Sequence, residues 1–265
     1  MNIKHVIAAT ILSLPFAAFA QQHAAEVLLV TGSVKATAKD GAQRSLSGGD
    51  AVDAGDSLVV GPNSYANLKF SDGGRILLRP NTEFAVEAWR YKEGAAPAPE
   101  PPPVTTRKKG KTAPASPPSA GNQAFFRLVR GGFRAISGLI KGDRGAYHVS
   151  TPVATIGIRG TDYEVQTCTN DCPSDSAHAS SGAIEVASND LSGLQLAAAD
   201  TGGGNKGGVI VATNEGTVVL QTGKGEFLVK IGEVAFAIEG GQVFKLPEVP
   251  EVLLKNGDGD PKACD

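Results

Sequence analysis

The chain contains none of the short motifs that identify the common enzyme sites. It has no G-x-S-x-G nucleophile turn, no phosphate-binding P-loop and no zinc-binding signature. Its four histidines form no His-x-x-x-His pair, and His148 and Ser150 share one strand face without a third partner. We therefore expect a non-enzymatic protein with no catalytic residues, no cofactor and no bound metal.

An excess of charge of one sign is also missing, and aromatic residues are scarce. The 25 Lys and Arg residues are balanced by 27 Asp and Glu residues. This balance gives no support to a nucleic-acid partner, because nucleic-acid-binding domains carry an excess of basic residues. Aromatic residues make up only 6% of the chain, whereas 33 residues are glycine. Such a composition favours a β protein with many turns over a helical one.

The chain has no long apolar run after its N-terminus. Residues 6–19 are mostly apolar, follow Lys4 and end at Ala18-Phe19-Ala20, which matches an A-x-A cleavage site. These features predict that residues 1–20 are a cleaved signal peptide. The apolar run is shorter than the ~20 residues that span a bilayer. We therefore expect a periplasmic or secreted protein that has no transmembrane span.

Only three cysteines are present, and two of them lie close together. Cys168 and Cys172 are four residues apart, a spacing that in an exported protein favours a local disulfide. Metal binding is the alternative, but two thiols without a further Cys or His at ligand spacing are too few. Cys264 is left over, either as a free thiol or for pairing with another chain.

Short strand patterns alternate with turn signals along most of the chain. Residues 65–70 alternate with period two, as a half-buried strand does, and turn signals such as Asp72-Gly73 separate the segments. The pattern predicts an all-β fold in which short strands stack into a β-roll, a solenoid-like structure or a sandwich. Gly32, Gly131 and Gly216 each precede an apolar residue that opens a new strand, which indicates a weak repeat of stacked β units.

A proline-rich segment interrupts these strands at residues 94–123. It contains half of the chain's 16 prolines, and its composition predicts disorder because it cannot bury a core. It also carries a basic group, here called the basic loop: Arg107, Lys108, Lys109 and Lys111. The basic loop is either a solvated surface segment or a contact for an anionic envelope surface such as lipopolysaccharide or peptidoglycan.

Residues 151–165 closely resemble the signature of the FecR-type domain, a periplasmic module of bacterial cell-surface signalling. The residues that carry this resemblance are Thr151, Pro152, Gly157, Ile158, Arg159, Gly160 and Thr161. Further matches before the proline-rich segment, among them Gly49-Asp50 and Pro80-Asn81-Thr82, look like the N-terminal half of that family. The resemblance implies one β domain over 24–165 that the proline-rich segment interrupts.

The remaining segments complete the predicted organisation. Residues 166–208 are expected to form a disulfide loop and a Gly-rich loop, and residues 209–247 to form further β units that pack on the same domain. Residues 248–265 are expected to be a flexible tail. Asn256, Asp258 and Asp260 in this tail look like the start of a calcium loop, although the later ligands are missing.

The signature offers the main candidate residues. Arg159 is expected to bond several backbone carbonyls at a strand crossing, or otherwise to bind a carboxylate or a receptor peptide, since its guanidinium has five donors. Gly157 and Gly160 are expected to permit a close backbone approach or a bulge. Elsewhere, Asp50, Asp53 and Asp56 could form a cation site or an acid pair, but their surroundings favour turns.

The resemblance implies a scaffold or sensing module that contacts other proteins of the cell envelope. The partner would be an envelope protein, such as an outer-membrane receptor, bound at an edge strand or a surface patch. The alternative is an envelope glycan-binding protein that holds peptidoglycan or polysaccharide through its loops and the basic loop. A hydrolase would need an acid pair or a triad, which no spacing in the sequence requires.

Overall fold

The computed structural model describes residues 23–94, 121–140, 145–169 and 207–250, together with Cys172 and Leu253. The predicted signal peptide, the basic loop, the Gly-rich loop, residues 256–260 and Cys264 lie outside the described residues. Sixteen β-strands account for most of the described chain. They are β1 (Ala25–Thr31), β2 (Val34–Thr37), β3 (Gln43–Ser45), β4 (Ala51–Val52), β5 (Ser57–Val60), β6 (Tyr65–Phe70), β7 (Arg75–Leu78), β8 (Glu83–Arg90), β9 (Gln123–Arg130), β10 (Gly132–Ile136), β11 (Tyr147–Ser150), β12 (Thr155–Cys168), β13 (Gly208–Thr222), β14 (Gly225–Lys230), β15 (Val234–Ile238) and β16 (Val243–Leu246).

The predicted all-β fold is confirmed, and all of these strands belong to one continuous curled sheet. The main path runs in the order β3-β2-β5-β8-β9-β11-β12-β10-β7-β6-β1-β4, and β13 pairs with β12, β14 and β15. Neighbouring strands are antiparallel except for β9 and β11, which are parallel. The long strands β12 and β13 therefore lie at the centre of the sheet, and each pairs with three other strands.

The sheet folds over at β12, so that its two halves face each other. The first part of β12 pairs with β11, and the second part pairs with β10. Aromatic rings from the two halves meet in the core: Phe84 lies 5.6 Å from Phe133, and Phe70 lies 5.2 Å from Phe126. The single sheet thus curls around this core as a half-barrel.

Three glycines lie at places where the chain passes from one half of the sheet to the other. Gly32 lies between β1 and β2, Gly131 lies between β9 and β10, and Gly216 lies inside β13, with φ angles of 77°, 78° and 79°. This left-handed conformation is accessible to glycine without steric cost. The weak sequence repeat therefore corresponds to a repeated structural element, a left-handed glycine at which the chain passes between the two halves of the sheet.

The strands on either side of residues 95–120 are neighbours in the sheet. β8 and β9 are antiparallel partners from Glu83 and Arg130 to Arg90 and Gln123. Beyond that register, the Lys92 N–H donates to Asn122 Oδ1 at 2.8 Å, and Asn122 Nδ2 donates to the Lys92 carbonyl at 3.3 Å. The two described ends of this segment thus meet side by side.

A second, smaller core lies beside the C-terminal strands. Ile210, Phe236 and Leu246 pack there with Cys168 and Leu253. Cys168 is disulfide-bonded to Cys172, as predicted from their spacing. The disulfide therefore fixes the chain after β12 against this cluster.

Candidate functional site

The family-like signature begins in a turn and continues through the crossing strand β12. The Thr151 hydroxyl donates to the Ala154 carbonyl at 2.7 Å and accepts the Ala154 N–H at 3.0 Å, which closes a turn around exposed Pro152. Ile158 is buried in the core, and the Thr161 N–H donates to Ser137 Oγ at 2.8 Å. Most of the signature therefore builds the fold.

Gly160 lies where β12 bends from one half-sheet to the other. Its φ is 62°, and the pairing of β12 with β13 shifts register between Arg159 and Asp162. A Cβ on Gly216 of β13 would overlap the Gly160 carbonyl oxygen. The predicted bulge and close approach are thus present at Gly160. Gly157 has neither, because it pairs regularly with His148 and Val219 and a Cβ there would come no closer than 3.9 Å to Val219.

Arg159 lies on the outer face of β12, next to the bend at Gly160. Its side chain is exposed. Side chains alternate along a strand, so an outward residue next to buried Ile158 cannot reach the core. The five donors of the Arg159 guanidinium are therefore on the solvent side of the sheet.

Arg79 is the arginine that lies buried, and sequence reasoning missed it. It is 1% exposed and donates to Glu164 Oε2 at 2.8 Å. The carboxylate of Glu164 also accepts from Asn214 Nδ2 at 3.3 Å, and Arg134 binds the neighbouring Asp162 at 2.8 and 3.1 Å. The one available signal was that Arg79 ends the apolar run of β7.

Gly157 lies in the middle of a row of cross-strand neighbours on the outer face of the sheet. We call this the apolar row, and its register follows the pairings of β9, β11, β12, β13 and β14. Its members are Phe125, His148, Gly157, Val219 and Leu228. Because glycine has no side chain, the row has a gap at its centre.

The gap opens into a cleft of about 310 Å³. Its walls include His148, Thr155 and Val219, with Arg159 at one side and the pair of Gln221 and Glu226 at the other. Gln221 Nε2 donates to Glu226 Oε1 at 3.0 Å, which holds the carboxylate in place. The cleft thus combines an apolar floor with one cationic and one anionic wall, and we call it the Gly157 cleft.

The imidazole of His148 contributes an aromatic surface to this cleft. It stacks on Phe125 with ring centroids 4.0 Å apart. Burial lowers the pKa of His148, with Glu87 opposing this effect, so the ring is neutral at neutral pH. In the described part of the chain no hydroxyl or thiol is hydrogen-bonded to it. The arrangement is suited to holding an apolar side chain beside a carboxylate.

The other candidate residues either form turns or lie outside the described residues. Asp50 accepts the Ser47 N–H at 2.7 Å, and Asp56 accepts the Asp53 N–H at 3.0 Å and binds Arg44 at 2.6 Å. These acids are turn residues, as their surroundings in the sequence favoured. Within residues 23–94, 121–140, 145–169 and 207–250, no group of three His, Cys, Asp or Glu side chains could hold a metal ion.

The described residues include no helix long and apolar enough to cross a membrane. The predicted basic loop of Arg107, Lys108, Lys109 and Lys111 lies outside the described residues.

No protein-family model and no curated protein matches the sequence. Two crystal structures, at 2.50 and 1.65 Å resolution, of a proposed anti-sigma factor from Parabacteroides distasonis ATCC 8503 are similar to the fold, each with a TM-score of 0.40 and 11% sequence identity. The similarity covers 74% of this chain and 61% of that protein. At this TM-score the similarity is too low to show that the two folds are the same.

Proposed function

We propose that the protein is a non-enzymatic module of the bacterial cell envelope that binds a protein partner at the Gly157 cleft. The observation that carries the proposal is the exposure of Arg159 beside an apolar cleft. Thr155, Gly157 and Arg159 of the family-like signature all border it. A cleft with apolar walls and a few polar groups at fixed positions is the usual form of a binding site.

The chemistry of the cleft favours a peptide segment over other ligands. An apolar side chain would fill the gap at Gly157, against His148 and Val219, while a carboxylate would pair with Arg159. Glu226 on the opposite wall would reject a second carboxylate and accept a backbone N–H or a basic group. The resemblance to FecR-type domains supports a role as scaffold or sensor, with the chain acting after cleavage of its signal peptide.

A crosslinking experiment can identify the partner. A photoreactive side chain is placed at Thr217, the cross-strand neighbour of Arg159, in the tagged chain without residues 1–20. A second preparation carries it at exposed Leu139, outside the cleft. We expect one envelope protein to be crosslinked from position 217 and not from position 139. Recovery of glycan fragments alone would favour the glycan-binding alternative.

Binding of the purified partner then tests the cleft itself. Gly157→Leu should abolish binding by filling the gap, and its extended backbone and open surroundings should let the variant fold. Arg159→Ala should weaken binding by about tenfold or more, as expected for the loss of a charge-assisted hydrogen bond. Arg90→Ala, an exposed arginine that does not line the cleft, is the matched control. Unchanged affinity of Gly157→Leu would refute the proposal.

A further inference from the structure

The free edge of β14 is open to another strand. Among the described residues, β13 is the only strand that pairs with β14. Leu228 in β14 is 53% exposed, and Ile231, the first residue after the end of β14, is 64% exposed. Apolar side chains at a sheet edge of six residues are a template for pairing with a further strand.

The hairpin geometry determines which backbone groups of β14 point to this edge. Thr222 and Gly225 are paired across a two-residue turn. Such a closing pair exchanges both backbone hydrogen bonds, and bonded and non-bonded pairs then alternate along the ladder. The N–H and C=O groups of Glu226 and Leu228 therefore point away from β13, toward the free edge. Those of Lys230 are bonded to Glu233: the Lys230 N–H donates to Glu233 Oε2 at 2.8 Å, and the Lys230 carbonyl accepts the Glu233 N–H at 2.9 Å.

We propose that the partner of this edge is β14 of a second copy of the chain, paired antiparallel about a two-fold axis at Leu228. In this register Leu228 lies opposite Leu228 of the other copy, and each Glu226 lies opposite the other copy's Lys230. The two Leu228 residues then exchange both backbone hydrogen bonds across the axis, and each Glu226 N–H faces the other copy's Lys230 carbonyl, which can accept a second hydrogen bond. Phe227, only partly buried at the sheet edge, would lie opposite the second copy's Val229.

Other registers of the same pairing fit less well. A shift that places residues of opposite faces together, such as Phe227 against Leu228, breaks the alternation of a continuous sheet. A shift that centres the axis on Phe227 places Lys230 opposite Lys224 of the other copy, and like charges directly opposite are destabilising. The axis at Leu228 is the register that pairs opposite charges on both sides.

The resulting dimer would have one continuous sheet with a Gly157 cleft on each side of the axis. Glu226 borders the cleft and also lies in the proposed interface. Dimerisation would therefore present two equivalent clefts on one face, which raises the avidity for a partner with two binding segments. The dimer forms without that partner, so an experiment that finds no dimer does not bear on the proposed function, and loss of partner binding does not bear on the dimer.

Sedimentation velocity of the chain without its signal peptide, over a range of concentrations, measures the dimer directly. Non-reducing electrophoresis separately identifies any dimer linked through Cys264. The charge reversals Glu226→Lys and Lys230→Glu should each weaken the dimer by roughly tenfold, because each creates two like-charge pairs. The double reversal restores opposite pairs and should recover the affinity of the unchanged chain.

Leu228→Pro is the second variant, because proline is tolerated on an edge strand whose N–H faces outward. It should abolish the dimer and leave the far-ultraviolet circular dichroism unchanged. Leu139→Lys changes an equally exposed leucine outside β14 and should leave the dimer intact. If the chain stays monomeric up to roughly 0.5 mM, any pairing is too weak to be specific and the proposal is overturned. A double reversal that does not recover the dimer affinity would also overturn it.

Discussion

At the scale of single residues, two arginines exchange the roles that their sequence context suggests. Arg159 stands between glycines in the signature and is exposed, whereas Arg79 ends an ordinary apolar strand and is buried against Glu164. Hydropathy alone cannot make this distinction, because both arginines adjoin apolar residues. Whether each arginine is buried depends on the face of the sheet to which its side chain points and on whether a carboxylate lies opposite it.

This difference predicts opposite effects of two substitutions on stability. Glu164→Gln should lower the free energy of unfolding by about 3 kcal/mol, because it removes the charge of the carboxylate that pairs with the buried guanidinium of Arg79. Arg159→Ala should change it by no more than about 0.5 kcal/mol, as usual for an exposed site. Urea unfolding measures both. A strong loss of stability in Arg159→Ala would instead support the structural role that the sequence suggests for Arg159.

His148 predicts a pH dependence of stability. Because burial lowers its folded-state pKa, the folded protein favours the neutral ring. Its contribution is therefore fully present above the unfolded-state pKa of about 6.5 and is lost as the pH falls toward the folded-state pKa.

His148→Phe keeps an aromatic ring on Phe125 and removes the titrating group. Between about pH 7.5 and 5.5, around the ordinary histidine pKa, the unchanged chain should lose more stability than this variant, as measured by thermal melts. Equal losses in the two proteins would contradict the prediction, and two-dimensional NMR of the imidazole gives the pKa independently.

At the scale of the strands, the sequence predicted local elements well and their pairing poorly. The alternation at residues 65–70 matches β6 at both ends, and the repeated glycines Gly32, Gly131 and Gly216 lie at three of the crossings between the halves of the sheet. The parallel pairing of β9 with β11 was not predicted, although it brings Phe125 onto His148. Alternation and turn residues determine strands locally, whereas register between distant strands is decided by tertiary packing.

The crossing at Gly216 gives a prediction at this scale. Gly216→Ala should lower the free energy of unfolding by about 2 kcal/mol or more, because φ is 79° and the new Cβ would overlap the Gly160 carbonyl. Gly157→Ala, in an extended and open position of the same strand pair, should be neutral or stabilising by up to about 1 kcal/mol. If the two variants have equal stability in urea unfolding, the crossing does not depend on glycine.

At the scale of the whole molecule, the segment at 95–120 connects two strands that already lie side by side. The Lys92 and Asn122 hydrogen bonds close the sheet next to it. Replacing residues 95–120 with a four-residue Gly/Ser turn should therefore preserve the fold. The shorter connection should raise the free energy of unfolding by about 1.5 kcal/mol, since loop-closure entropy grows with the logarithm of loop length.

The same shortened chain separates the two proposed kinds of partner, because it lacks Arg107, Lys108, Lys109 and Lys111. If the Gly157 cleft binds a protein segment, the affinity for that protein should be unchanged, because the cleft residues all remain. If the basic loop binds purified peptidoglycan or lipopolysaccharide through its charge, the shortened chain should bind them more weakly. High salt should then weaken the same binding in the unchanged chain. A variant that keeps its stability but loses protein binding would mean that the partner contacts the deleted segment, and the cleft would then not be sufficient for recognition.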